Sequence, residues 1–337
     1  MSIPDTKYKK INENDINDLI ISNKTNIKIV KYDDSYKKSW DQFIDLAKNG
    51  HFMFKRDYME YHSDRFKDFS LIIFDGKKIA AVIPANIESN KIISHGGLTF
   101  GGIISNKKMD TPKMLEIFEA LIEFLKENKI EKFIYKAIPY IYHNLPSQED
   151  LYALFINNAT LIRRDISSCI YKEDKLNFNR NKKRNIKKSK FNGLNIEISK
   201  DFKSYMKIKK EDLLKKYGIT PVHTGDEISV LAGKFPENIK LFEVKKDHET
   251  LAGVIIFETP NVAHAQYLAS TDEGKKEYAA DLLFDYLINN YYKDKKYFSF
   301  GISTEMNGFY LNKGLIRFKE QFGARSIIND FYEINLI

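Results

Sequence analysis

Residues 235–270 read FPENIKLFEVKKDHETLAGVIIFETPNVAHAQYLAS. Three runs within it, NIKLFEVKK, ETLAGVIIFETP and VAHAQYLAS, are apolar and rich in β-branched and aromatic residues, and Asp247-His248-Glu249 marks a turn between the first two. The stretch therefore predicts consecutive strands. KEYAADLLFDYLINNYYK (276–293) follows with apolar residues at helical spacing and predicts a long helix, and YFSFGI (297–302) predicts a further strand. Upstream, NIEISK (195–200) reads as a strand, DFKSYMKIKKEDLLKKY (201–217) as a helix, and DEISVLAGKF (226–235) as a second helix.

The same order appears earlier in the chain. IKIVKY (27–32) alternates as a strand, and Trp40, Phe43 and Leu46 lie on one stripe of the helix after it. FSLIIFDGKKIAAVIPANI (69–87) carries two apolar runs around Asp75-Gly76, a strong hairpin signal, and KIISHGGLTFGGII (91–104) continues as strand and glycine-rich turn. A helix over 111–130 begins Thr-Pro, and EKFIYKAIP (131–139) reads as a buried strand. QEDLYALFINN predicts a helix, LIRRDISSCIY a strand, and FNRNKKRNIKKSKFNGL a basic helix ended by Gly193. The matching positions of the hairpins and of helices 112–127 and 276–292 predict two similar domains, at 26–172 and 173–337. Each is of the α/β (α+β) class, a mixed, largely antiparallel sheet flanked by helices. Residues 1–25 read as a polar extension, with a short helix over DINDLI.

A length of 337 residues suits two domains, and 43% hydrophobic content suits packed cores. No apolar run approaches the ~20 residues of a membrane span and no leader pattern opens the sequence, so a cytoplasmic protein without membrane insertion is expected. One cysteine, Cys169, excludes an internal disulfide and a cysteine metal cluster, and the histidines show no metal-ligand spacing. No metal is expected. The net charge of +8 directs attention to the basic run Arg180, Lys182, Lys183, Arg184, Lys187, Lys188 and Lys190. That run reads either as a solvated linker helix or as a contact for an anionic partner.

The element order resembles the plan of the GCN5-related N-acetyltransferases (GNAT), and its doubling resembles the Fem-type tandem group. RNKKRNIKKSKFNGLNIEI, the quoted 235–270 stretch, and YFSFGISTEMNGFYLNKGLIRFKEQFGA with its Phe-Lys-x-x-Phe-Gly ending carry the likeness. The resemblance implies two tandem GNAT-like domains that transfer an acyl or aminoacyl group to an amine. In the family a Gln/Arg-x-x-Gly-x-Gly/Ala loop cradles the donor pyrophosphate; the equivalent stretch here is DEGKKEYAAD. On this plan Leu268, Ala269, Ser270, Gly274, Lys275 and Lys276 are the donor-binding candidates.

Acyl transfer to an amine needs a group to take the ammonium proton and a donor for the developing oxyanion. Strand alternation places His264 and Gln266 on one face and Ala265 and Tyr267 on the other. Tyr267 is a candidate hydroxyl near the reacting carbonyl, and His264 either lines the cleft or packs against a helix. Glu305 follows a strand and could take the proton of the acceptor amine, or cap a helix after Thr304. His223 lies in a loop between helices, as a base or a solvated imidazole. Lys319 falls on the Phe-Lys-x-x-Phe-Gly position and could offer a point charge to an oxyanion or phosphate. In the first half, Arg56, Tyr61, His62, Thr99, Lys136 and His143 interleave basic, polar and aromatic groups and form the acceptor-binding candidates, for a small molecule or glycan.

The leading expectation is an N-acyltransferase of envelope or polysaccharide metabolism using acyl-CoA or acyl carrier protein (acyl-ACP) and acting on an amino sugar or peptidic amine. The alternatives are a Fem-type transferase dependent on aminoacyl-tRNA and a noncatalytic nucleic-acid-binding protein that uses the basic run.

Overall fold

The computed structural model describes residues 26–337; the short helix expected over 15–20 lies outside them. The first half runs β1 (Ile27–Lys31), α1 (Lys37–Leu46), a single turn α2 (Arg56–Met59), β2 (Leu71–Asp75), β3 (Lys78–Ile83), β4 (Asn86–Glu88), β5 (Lys91–Ile93), β6 (Ile104–Ser105), α3 (Thr111–Glu127), β7 (Lys132–Lys136), α4 (Glu149–Ile156) and β8 (Thr160–Tyr171). The second runs α5 (Arg180–Phe191), β9 (Asn195–Ser199), α6 (Phe202–Tyr217), α7 (Gly225–Lys234), β10 (Ile239–Lys246), β11 (Glu249–Glu258), β12 (Val262–Ser270), α8 (Asp272–Lys276), α9 (Ala279–Tyr286) and β13 (Tyr297–Ile302). A small hairpin of β14 (Thr304–Glu305) and β15 (Tyr310–Leu311), then α10 (Lys313–Glu320) and β16 (Arg325–Asn335), complete it. Among the described residues no helix is long and apolar enough to cross a membrane.

Local chemistry fixes most of these ends. Asp110 caps α3 through Lys113 N at 2.9 Å with Pro112 in the first turn, and Thr224 and Glu227 close a reciprocal capping box on α7. Asp247 and His248 both have positive φ, 48° and 70°, the turn that matches the twist of the β10–β11 hairpin. On α1 the buried stripe is Trp40, Phe43 and Ile44, while Leu46 points outward.

The strands form a four-stranded antiparallel sheet, β1-β2-β3-β6, and a ten-stranded sheet ordered β4-β5-β7-β16-β8-β13-β12-β11-β10-β9. In the larger sheet the closing strands of the halves are exchanged. β8 pairs with β13 of the second half, β16 pairs with β7 of the first, and β8 and β16 pair with each other antiparallel from Thr160–Glu333 to Cys169–Arg325. The expected boundary at 172/173 thus follows a strand that lies in the other half's part of the sheet.

One apolar cluster fills the first half under α3, and one fills the second between β10–β13 and α9. A third joins the halves: Trp40, Phe54 and Tyr142 meet Tyr205, Phe257 and Tyr267. The long helix expected over 276–293 is broken. It begins earlier as α8, turns at Tyr278 in the left-handed region (φ 56°), and resumes as α9 with a wide turn over Leu287–Tyr291. At the break the Ser189 hydroxyl reaches the freed Glu277 carbonyl at 2.7 Å, with the carbonyls of Asn185 and Tyr278 at 3.0 and 3.2 Å.

His51 is buried among Phe54, Phe100 and Tyr142 of the first half, its ring centroid 4.0 Å from that of Phe54, and neither ring nitrogen has a partner among the described residues. Burial pushes its pKa from 6.5 down to about 3. Below pH 6.5 the unfolded chain binds a proton that the folded chain refuses, so stability falls with pH from there toward about 3. His51→Phe is expected to fold and to remove ~1.4 kcal/mol of that loss per pH unit, as measured by denaturant unfolding across the range.

Candidate active site

β12 and β13 run parallel, but only Val262–His264 pair with Tyr297–Ser299 before the strands part. Two irregularities force the parting. On β12 the register against β11 slips after Ala265, opposite Ile256, to Tyr267, opposite Ile255, which leaves Gln266 as a bulge. On β13 the register against β8 slips between Ser299 and Ile302, and Gly301 takes φ 73° with the place of a Cβ only 3.3 Å from His264 Cε1. The gap opens into a cavity of about 1060 Å³ walled by β12, β13, α5, α6, α9 and α10. Phe284, Phe300 and Phe318 make its apolar side, and Gln266, Leu268, Ala269 and Ser270 its β12 side.

Buried lysines set its electrostatics. Lys319, 4% exposed, donates to the carbonyls of Gly301 and Ile302 at 2.8 and 2.6 Å, and burial alone lowers its pKa to about 7. Two of its N–H bonds are thereby directed to the backbone, and an ammonium would keep a third. Lys209 donates to Leu268 O at 2.8 Å and is pushed down to about 8 by burial. Lys182 is ion-paired with Asp281 at 2.5 Å and lies over the Phe318 ring at 4.0 Å; burial lowers its pKa despite the carboxylate beside it. Asp212 holds Lys216 at 2.8 Å and Lys275 at 3.3 Å. Among the described residues no group of histidines, cysteines and carboxylates is arranged to hold a metal ion.

The structure brings part of the predicted set together. Lys319, Glu305, Leu268, Ala269, Ser270, Gly274 and Lys275 all line the cavity. Glu305 is exposed at its mouth and accepts from Asn312 Nδ2 at 2.8 Å. Lys276 is solvent-exposed outside the cavity, 3.8 Å from Glu273. Gly274 presses on β11, where a Cβ would come within 2.0 Å of Leu251 O, and its N–H donates to Thr271 Oγ1 at 3.0 Å. Asp272 and Glu273 occupy the first turn of α8.

The expected alternation on β12 is corrected by the bulge. Tyr267 lies on the face of His264 rather than of Ala265, because the extra residue at Gln266 reverses the parity of everything after it. That face looks toward the first half, away from the cavity. The expected loop position of His223 is buried rather than solvated. His223 is hydrogen-bonded through Nδ1 to the Tyr267 hydroxyl at 2.5 Å and stacked on Tyr61 at 5.4 Å. Burial takes His223 down to about 4 and Tyr267 up to about 12, so the pair is neutral. His264 Nδ1 lies 3.1 Å from the Tyr142 hydroxyl and 3.0 Å from Ser299 Oγ, and is likewise lowered to about 4.

The first-half candidates are dispersed. Tyr61 and His62 meet at a tilt with ring centroids 4.3 Å apart, His62 stacks on His95 at 5.1 Å, and this aromatic column abuts His223. Thr99 shares a small void with His264, Tyr142 and Gln266. Arg56 is buried and engaged by Asp68 at 2.6 Å, Glu60 at 3.0 Å and Ser70 at 3.1 Å, with Tyr32 3.7 Å beneath it. Lys136 donates to His95 O and Leu98 O, tying down the glycine-rich loop, and burial brings its pKa to about 7. His143 bonds Ile138 O at 3.1 Å, beside the seam where Asn261 donates to the His143 carbonyl.

Sequence reading missed Lys182, Lys209, Asp281 and Gln266 as cavity residues. For Lys182 a signal existed: it is spaced four and seven residues from Ile186 and Ser189, the inward stripe of α5. For the others, nothing local distinguishes them from surface polar residues.

No family model matches the sequence, and no curated protein matches it. Solved structures do. FemX aligns with a TM-score of 0.64 at 10% identity, over 91% of this chain and 97% of that one. The C-terminal domain of a putative lysylphosphatidylglycerol synthetase from Agrobacterium fabrum aligns at 0.60 and 11% identity, over 89% and 92% of the two chains. L-PGS from Bacillus licheniformis aligns at 0.58 and 11% identity, over 91% and 93%. The chain has the fold of these proteins.

The two buried lysines should separate in their effect on stability. Lys182→Met leaves the buried Asp281 carboxylate without its cation and is expected to cost ~3 kcal/mol, whereas Lys319→Met leaves only neutral carbonyls and should cost ~1 kcal/mol. Chemical denaturation of the two variants measures the difference.

Proposed function

We propose that this chain, with its Fem- and GNAT-like acyltransferase fold, moves an acyl group from a thioester, acyl-CoA or acyl carrier protein, to the amine of an amino sugar or peptidic acceptor. The observation that carries the reading is the parting of β12 from β13 over a large cavity in which buried Lys319 has two N–H bonds anchored on the backbone. A thioester carbonyl beside it would receive the remaining N–H, which stabilises the oxyanion as the amine adds.

In the step proposed, the acceptor nitrogen forms a bond to the carbonyl carbon and the carbon–sulfur bond breaks. The new ammonium gives its proton to the Glu305 carboxylate at the cavity mouth, the thiolate leaves, and Glu305 returns that proton by way of solvent to the sulfur, so that amide and thiol are the products. The apolar wall of Phe284, Phe300 and Phe318 suits the acyl chain and keeps water from the thioester. The column of Tyr61, His62, His223 and Tyr267 lies on the other face of β12, so its part is to hold the halves in register rather than to meet the carbonyl.

A thermal-shift series with coenzyme A thioesters tests binding: a ligand at about a hundred times its dissociation constant raises stability by ~2.7 kcal/mol, and no shift with any thioester ends the proposal. Turnover is read as thiol released in the presence of amino-sugar and peptide amines. Lys319→Met is expected to lower it by ~10²-fold or more without loss of the thermal shift. Because Lys319 loses its proton as pH rises through about 7, turnover should fall above that pH, and Lys319→Arg should carry the fall to higher pH.

A further inference from the structure

The α8 turn is poorly suited to the pyrophosphate of a free nucleotide donor. The Gly274 N–H is held by Thr271, Asp272 and Glu273 repel an anion from the first turn, and Lys275 is neutralised by Asp212 and Asp272. The unneutralised positive charge lies one helix away, on the outer face of α5. Lys182, Ile186 and Ser189 face inward, and Lys182 and Asn185 form part of the cavity wall. Arg180, Lys183, Arg184 and Lys187 are exposed on the opposite side, where none has a carboxylate within ion-pair distance among the described residues.

This outer side is also shaped. A groove of about 420 Å³ runs between α5 and the end of α9, with Lys175, Lys183, Lys187 and Lys190 standing over Phe178 and Ile186. Lys183, Lys187 and Lys190 lie at i, i+4 and i+7, one stripe of one helix. Lys190 is ion-paired to Asp285 at 2.9 Å and Lys175 donates to Asn289 Oδ1, while Lys183 and Lys187 have no carboxylate within ion-pair distance among the described residues. Cations along a single helical stripe beside a groove complement the acidic face of a helix laid alongside. A nucleic acid is served less well, because Phe178 is buried edge-on against Phe322 at 5.2 Å and offers no open ring for a base.

We propose that the outer face of α5 docks an acidic acyl carrier domain, which delivers the acyl thioester on its phosphopantetheine arm around α5 into the cavity. The proposal rests on the thioester reading of that cavity. It removes the need for a nucleotide cradle, since the arm carries a single phosphate and the carrier's own surface supplies the binding energy that a nucleotide would otherwise give.

Binding of the full chain to a purified acidic acyl carrier protein in its holo form, by biolayer interferometry, tests it. The dissociation constant is expected to rise about tenfold between low and physiological salt, and about tenfold or more in Lys183→Glu/Lys187→Glu. Both residues are exposed, so melting and the thermal shift with coenzyme A thioesters should stay as in the parent. If thioesters shift the melting temperature but the holo carrier does not bind, or binds the charge-reversed variant equally, docking on α5 is wrong while the cavity reading stands. If no thioester shifts it, neither the coenzyme A thioesters nor an acyl-phosphopantetheine that lacks the nucleotide, both fall together. If transfer RNA binds and is lost in the variant while the carrier does not bind, the face belongs to RNA and the proposal is overturned.

Discussion

The ladder between β8 and β16 is the interaction on which the molecule depends. Each strand closes a half, yet each lies against the other half's sheet, so their pairing converts two sheets into one of ten strands. Hydrogen bonds that cross between halves at the centre of a sheet are harder to break than a side-chain interface, because parting them would leave rows of unpaired backbone groups. β13, held by β8 on one side, is thereby fixed relative to β12, and the gap between them is held open at one level.

What the sequence disclosed and what it withheld divide along physical lines. Strand and helix periods, the Asp75-Gly76 and Asp247-His248 turns, and the Gly193 end of α5 are local, and they appear in the structure. The exchange of β8 and β16 depends on which distant edges are free, and no pattern within either strand encodes it. A single bulge at Gln266 misdirected the reading of Tyr267, because alternation has a period of two and one inserted residue inverts it. Lys319 was legible through its motif. Lys182 and Lys209 look like any surface lysine until the helices that bury them are placed.

The molecule also keeps its charged and neutral polar groups apart. On the cavity side of β12, lysines face carbonyls, carboxylates and aromatic rings. On the other side, the buried His62 and His223 and the half-buried His264 are kept neutral chiefly by desolvation. One strand thus has lysines on its cavity side and neutral histidines on the other, and the contact across it is electrostatic as well as steric, since Lys319 also lowers the pKa of His264.

The exchanged strands also have a meaning in time. β7 cannot complete its pairing until β16, at the far end of the described chain, has been synthesised, and β8 must wait for β13. Contacts so distant in sequence close slowly, and the open edge of β7 is a template for wrong partners in the interval. β7 consists of KFIYK, with lysine at both ends. Charges at the tips of a waiting strand discourage edge-to-edge association, so the same five residues that pack the finished core also guard the nascent one.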